Sequence, residues 1–395
     1  MIEFHARRLD TGEPVRVTVS GRQIAAVEPA VPQADSANWP FVASGLFDLQ
    51  INGLDGQWFA ADSLTPESVL ATLEGHYRLG VTRLCPTLIT NSFAALEAGF
   101  NALRVACERE AWAQDMVPGC HLEGPYISAE DGPRGAHPLS QVRPCDCEEL
   151  SRLQAASGDR IRLVTLAPES PGAVEFIRRA VASGVAVAIG HTAADTTQIA
   201  AAVDAGAKLS THLGNGSHTV LRRHPNYIWD QLGEPRLWAS VITDGFHLPA
   251  SVIRAIVAAK GQHRTIITCD ASGFAGCAPG TYDYQGSKYE VLPEGAIVVA
   301  GQRQILAGSA QSTPHCVAHA AAVTGLPLAR TWDMASRNPA RLLGFEVQRL
   351  ARGSRADLVV FDHDPDNSRI TVRGTIAAGR VVHGASEFKT LADVA

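Results

Sequence analysis

The chain of 395 residues is 46% hydrophobic and 19% charged, enough apolar sequence to bury a sizeable core. A formal net charge of -6 and a pI of about 6.2, with the basic residues scattered, exclude the basic field that nucleic-acid binding needs. The opening MIEFHARRLDTGEP is charged throughout, unlike a signal-peptide core, and no apolar run approaches the roughly 18 residues of a membrane span. A cytoplasmic protein that meets neither nucleic acid nor membrane is therefore expected. The eight cysteines form no C-x-x-C pair, and the Cys145/Cys147 C-x-C lies in a polar stretch where it reads as incidental.

In chain order, residues 1–43 read as short strands and turns (VRVTVSGRQIAAVEP). Eight apolar strands follow, at Gly45–Asn52, Thr82–Ile89, Pro118–Gly124, Arg162–Ala167, Val185–His191, Lys208–Leu213, Trp238–Asp244 and Thr265–Asp270. Amphipathic helices are expected over Pro66–Leu79, Ala94–Ala111, Ala173–Ser183, Asp195–Ala205 and Pro249–Lys260. Alternation of this kind predicts a parallel α/β architecture, and eight units predict a closed (β/α)8 TIM-like barrel over 44–345. An insertion at Tyr282–Leu306 carries alternating β patterns, as do ADLVVFD and SRITVRGTIAAGRVVHG near the end. Neither chain end has enough apolar residues to fold alone. Residues 1–43 and 346–395 are therefore expected to pair as a small β-sandwich domain.

In such a barrel the chemistry sits where the strands end. Strand one ends in Gln50-Ile51-Asn52, strand three in His121-Leu122-Glu123, strand five in Gly190-His191 and strand six in Thr211-His212. Strand seven ends in Asp244-Gly245-Phe246-His247 and strand eight in Cys269-Asp270. A lone strand histidine is ordinarily a satisfied core or surface residue. Together, however, Glu123, His191 and His212 supply two imidazoles and a carboxylate, the ligand set of catalytic zinc sites that keep a position open. Asp270 follows an apolar run where a bare carboxylate is costly without a partner. It reads as a general base, against the alternatives of a helix cap or a salt bridge. His121 lies one pleat below Glu123 and reads as a support rather than a ligand, and Cys269 faces away by alternation. His315 and His319, spaced i, i+4, read as ordinary packing histidines.

The motifs HLEGPYIS, PRGAHP, VTLAPE, IGHTAA, STHLGNG, ITDGFHLP, TCDAS and LAGS, in that order, resemble the N-acetylglucosamine-6-phosphate deacetylases of the amidohydrolase superfamily. The resemblance extends from GLFDLQING to GSRADLVVF. It implies hydrolysis of the acetamide of a phosphorylated N-acetyl amino sugar, with Glu123, His191 and His212 on the metal and Asp270 as acid/base. It also implies that His137 meets the substrate carbonyl and that Asn215 and Gly216 bind substrate through their backbone. Arg223 would meet the phosphate, in its own or a neighbouring subunit's site, and His247 the sugar. Leu306, Ala307 and Gly308 would close over the acetamide, in a homo-oligomer. Gln50 and Asn52 stand where many amidohydrolases carry H-x-H, and strand four lacks the lysine of a bridging carbamate. One divalent metal per chain is therefore expected, Zn2+ before Fe2+ or another ion. Two further departures bear on the substrate: Asn215-Gly216-Ser217 replaces N-A-M, and LRRHPNYIW replaces G-R-x-P-G around Arg223. His218 and His224 flank that loop, where each could add charge or simply face solvent. The competing readings are the galacto isomer or an unphosphorylated sugar, a deaminase or cyclic amidase, and a non-catalytic sugar-binding barrel.

Overall fold

In the computed structural model, which describes residues 1–31 and 36–390, eight strands pair in chain order as one parallel sheet. Strands one to eight run Leu46–Ile51, Val81–Ile89, Cys120–Glu123, Ile161–Leu166, Ala186–Ile189, Leu209–Ser210, Trp238–Ile242 and Thr265–Thr268. The seam between strands eight and one closes just beyond their ends, where Asn52 N donates to the Ala271 carbonyl at 2.8 Å. The architecture is a (β/α)8 barrel. Strand six is much shorter than the expected Lys208–Leu213, because the backbone leaves extended geometry at His212, φ 29°.

Polar caps followed by apolar stripes explain the helices. Thr65 and Ser68 form a reciprocal capping box at Pro66–Tyr77, and Asp195 and Gln198 do the same at Thr196–Asp204. Phe93–Arg109, Ala173–Ala182 and Ala250–Lys260 lie within two residues of their expected bounds. Helices Cys147–Ser157 and Tyr227–Gly233 fall outside the expected set. The first buries only Leu150, Leu153 and Ser157, and the second is seven residues long, so neither has a strong apolar period.

The barrel interior is apolar at one end and polar at the other. Phe47, Leu49, Cys85, Leu163, Ala188, Leu209 and Ile266 fill it near the strand starts, and Ala340 and Leu342 plug it from below. The polar residues gather at the far end, as the barrel rule requires.

The first four strands (Ile2–Arg8, Pro14–Ser20, Gln23–Pro29, Phe41–Ser44) join the last four (Leu358–Asp364, Arg369–Ala377, Arg380–His383, Lys389–Thr390) in a second eight-stranded sheet. Phe41–Ser44 lies between the two chain ends, parallel to Ile2–Arg8 and antiparallel to Leu358–Asp364. Ile24 and Ile376 stand near opposite ends of the strand order yet share one core with Phe4, Val17, Val360 and Phe388. The sheet therefore curls over its own filling. Residues 391–395 of the expected C-terminal unit lie outside the described residues.

The insertion forms a four-stranded antiparallel sheet, Gly280–Tyr284, Ser287–Val291, Ala296–Val299 and Gln302–Ser309. Its Tyr289, Val291, Ile297 and Ala307 pack on Trp58 and Phe274. It is stitched to the barrel mouth by Ser309 N donating to Asp270 O at 2.9 Å and Ser272 N donating to Ser309 O at 3.0 Å. No helix among the described residues is long and apolar enough to cross a membrane.

Candidate active site and metal centre

Glu123, His191 and His212 converge from strands three, five and six, one ligand atom from each lying within 4.8 Å of the others. Glu123 Oε1 is 3.0 Å from His212 Nε2 and 3.4 Å from His191 Nε2, and all three residues are buried. Burial acts against ionisation of Glu123, but the hydrogen bonds from the two imidazoles hold its carboxyl well below the usual range. The Nδ1 of His191 donates to the Pro133 carbonyl at 2.8 Å, which fixes the ring with Nε2 turned toward Glu123 and His212, where binding of a cation would take the place of the Nε2 proton. An ionised carboxylate and two imidazole edges meeting in a dry site fit a divalent cation. Among the described residues no other three His, Cys, Asp or Glu side chains gather this way.

Asp270 stands beside this cluster and is buried. Its Oδ1 accepts from Asn52 Nδ2 at 2.7 Å and from Gln50 Nε2 at 3.0 Å, which also donates to Glu123 Oε1 at 2.9 Å. The amides of strand one thus work as donors that orient the two carboxylates and leave Asp270 Oδ2 without a hydrogen-bond partner among the described residues. Burial first, and then the charge of Glu123, push the Asp270 carboxyl well above the usual carboxylate range. Positive charge at the ligand cluster acts in the opposite direction.

Asp48 of strand one was not singled out in the sequence, and its role is visible only across the seam. Its Oδ2 accepts from Cys269 N at 2.9 Å and Thr313 Oγ1 at 2.8 Å, and its Oδ1 from Gln50 N at 3.1 Å and from Thr268 Oγ1. Burial raises this carboxyl and the hydrogen bonds pull against the rise. One buried side chain therefore fixes the backbone of both Gln50 and the residue preceding Asp270.

His137 reaches the cluster from the loop after strand three, its ring 4.4 Å from that of His191 and edge-on to it. Thr90, also missed in the sequence, places its Oγ1 2.8 Å from His137 Nδ1. When the hydroxyl donates, the ring proton sits on Nε2. Burial lowers the imidazole to about 3, so His137 is neutral at ordinary pH. Gly216, φ 55°, lies against His191, and a Cβ there would approach its Nδ1 to 2.8 Å. Asn215 N donates to His212 O at 2.9 Å, while its buried Nδ2 has no partner among the described residues. His121 is buried between Thr87 Oγ1 (3.2 Å) and Thr165 Oγ1 (2.8 Å) and makes no hydrogen bond to the ligands themselves.

His247 pairs with Asp244 Oδ2 at 2.8 Å, an oxygen that also accepts from Ser309 Oγ at 2.8 Å. This ties the loop after strand seven to the inserted sheet. Leu306, Ala307 and Gly308 lie in the last strand of that sheet, and a Cβ at Gly308 would meet Ser272 Cβ at 2.8 Å. Arg223 is exposed and forms no ion pair among the described residues, so the structure does not bring it into contact with the cluster. In the same loop His218 is bonded to Tyr227 Oη and to Glu130 Oε2, both at 3.0 Å, while His224 is exposed. His315 packs its Nε2 3.3 Å from the Asp244 carbonyl and stacks on His319.

The fold and this constellation define a class, metal-dependent hydrolases of the amidohydrolase type, and the amidohydrolase family model matches residues 41–382. The chain belongs to the amidohydrolase family. Its relatives narrow the branch to the amino-sugar-phosphate deacetylases. It is 32% identical to the N-acetylgalactosamine-6-phosphate deacetylase of Escherichia coli O157:H7, over 95% of this chain and 99% of that one. It is also 32% identical to the N-acetylglucosamine-6-phosphate deacetylase of Bos taurus, over 88% and 85%. A solved structure of a mutant N-acetyl-D-glucosamine-6-phosphate deacetylase from Mycobacterium smegmatis, in complex with N-acetyl-D-glucosamine-6-phosphate, superposes with a TM-score of 0.83. It is 31% identical, covering 94% of this chain and 95% of that one.

Proposed function

We propose that the protein hydrolyses the acetamide of N-acetylglucosamine 6-phosphate, giving acetate and the amino sugar phosphate. The observation that carries this is Asp270, held by Asn52 and Gln50 with one oxygen free, beside the cluster of Glu123, His191 and His212. Those three residues would hold one divalent ion, most simply zinc, because Gln50 and Asn52 turn their donor nitrogens towards carboxylates and leave no second ligand set on strand one. Such an ion, when bound, supplies Lewis acidity toward water and the amide carbonyl.

The chain's own groups do the rest. Asp270 Oδ2 takes the proton of the attacking water and returns it to the departing nitrogen, which would otherwise leave as an amide anion. His137 Nε2–H donates to the carbonyl oxygen as negative charge develops there. Thr90 positions that donor. Thr90→Val is expected to lower kcat about 10- to 100-fold with KM nearly unchanged, and Thr90→Ser to restore most of it. Steady-state kinetics on the pair check the assignment, and equal losses in both variants would remove it.

The substrate-binding assignments are Asn215 and Gly216 beside the ligands, His247 on the sugar, Leu306–Gly308 over the acetamide and Arg223 on the phosphate. A second reading, the galacto isomer, has the support of the Escherichia coli relative, which aligns along nearly its whole length. Assaying both N-acetylhexosamines with and without the 6-phosphate decides between them. In that panel Arg223→Ala should raise KM for the phosphorylated sugar by on the order of tenfold or more. The unphosphorylated analogue should change little, and an equal effect on both would strip Arg223 of the role.

We also place residues 1–43 and 346–395 in one β unit, 44–345 in the catalytic barrel, and the protein in the cytoplasm as a homo-oligomer. Support comes from the eight free cysteines and from exposed Leu139, Val220 and Phe246 in the segments after strands three, six and seven, with exposed Trp229 on the helix Tyr227–Gly233.

A further inference from the structure

Asp244, just past the end of strand seven, is a buried carboxylate that pairs with an imidazole, that of His247, and with no lysine or arginine among the described residues. Its two oxygens have separate partners. Oδ1 accepts from Phe246 N and His247 N, both at 2.9 Å, and so forms the turn after the strand. A neutral asparagine would serve that turn as well. The charge is explained by Oδ2, which accepts from His247 Nδ1 and from Ser309 Oγ, both at 2.8 Å. Burial acts against ionisation, yet the hydrogen bonds from His247 and Phe246 hold the carboxyl below the usual range.

Ser309 carries the link onward to Asp270. It is 1% exposed, at the end of the inserted strand Gln302–Ser309. Its Oγ donates to Asp244, its N donates to the Asp270 carbonyl at 2.9 Å, and its own carbonyl accepts from Ser272 N at 3.0 Å. Gln311 N donates to the same Oγ at 3.0 Å, which leaves the hydroxyl proton for Asp244. Asp270 needs such support, because its φ of 51° is one that a non-glycine residue keeps only when its surroundings fix it. At the other end, the His247 ring is tethered by Nδ1, and its Nε2 forms no hydrogen bond among the described residues. A continuous chain of hydrogen bonds therefore runs from the His247 ring, through one oxygen of Asp244, to the backbone that bears Asp270.

We propose, resting on the sugar contact of His247 and the acid/base role of Asp270, that Asp244 is a positioning residue for deacetylation. Through Oδ2 it ties the ring that meets the sugar to the strand that holds the base, so that the two act as one unit. The test is steady-state kinetics of the metal-loaded enzyme on N-acetylglucosamine 6-phosphate. Asp244→Asn keeps the turn oxygen and puts an NH2 group where Oδ2 meets two donors, and it should lower kcat/KM about 100-fold. Ser309→Ala keeps both backbone bonds of that residue and removes only the arm to Asp244, so it carries the test if Asp244→Asn does not fold. It should lower kcat about tenfold with KM nearly unchanged, a split that lost stability alone does not produce. His247→Gln should lower kcat/KM about tenfold or more. Independent arms multiply their losses, whereas residues in one network fall short of the product. The double variant Ser309→Ala/His247→Gln should therefore lie within about threefold of the worse single one. Multiplied losses, or a wild-type kcat in Ser309→Ala, would overturn the proposal and leave the roles of His247 and Asp270 standing. A silent His247→Gln would instead remove the sugar contact, and the proposal with it.

Discussion

Replacing Asp270 with Asn should cut kcat by about 100- to 10,000-fold and leave the metal content of the protein unchanged. The asymmetry follows from the hydrogen bonds. An asparagine oxygen can accept from Asn52 Nδ2 and Gln50 Nε2 as Asp270 Oδ1 does, so the side chain stays in place. What changes is the other atom, where an NH2 group stands instead of a proton acceptor. Deacetylation rate and metal analysis on the same preparation check both halves. Near-wild-type turnover with metal present would remove Asp270 from the reaction.

Glu123→Gln should give the complementary result. Its shape is conserved, but the charge that the His191 and His212 edges share is lost. Metal content is expected to fall from about one ion per chain to a small fraction, and activity to fall with it, because ligand charge sets affinity. Wild type stripped by a chelator should recover on adding the ion back, whereas Glu123→Gln should need far higher concentrations. Full metal content in the variant would mean that the cluster is not the site. The two substitutions thus separate holding the ion from moving the proton.

Much of this layout was legible from the residues because the barrel imposes a simple rule: apolar strands in chain order, polar groups at their ends. Glu123, His191, His212 and Asp270 could be placed by that register alone. What could not be read is how three of them are aimed. His191, His212 and Asp270 have φ of 50°, 29° and 51°, left-handed values that non-glycine residues rarely take, and strand alternation carries no trace of them. Asp48 and Thr90 were hidden for a different reason. Asp48 looks like an unremarked polar residue in an apolar strand and Thr90 like one just past the end of another, and their partners lie far along the chain. Gln50 and Asn52 stood out as lost metal ligands, whereas their geometry makes them the holders of Asp270.

The barrel seam has a bearing on how the enzyme comes into being. Glu123, His191 and His212 all lie on interior strands of the sheet order, on the same side of the seam. Asp270, by contrast, meets Gln50 and Asn52 only where the last strand finds the first, a closure clamped by Asp48. On the proposed roles, the ion cage needs no contact across the seam, whereas the proton shuttle is complete only when the seam is shut.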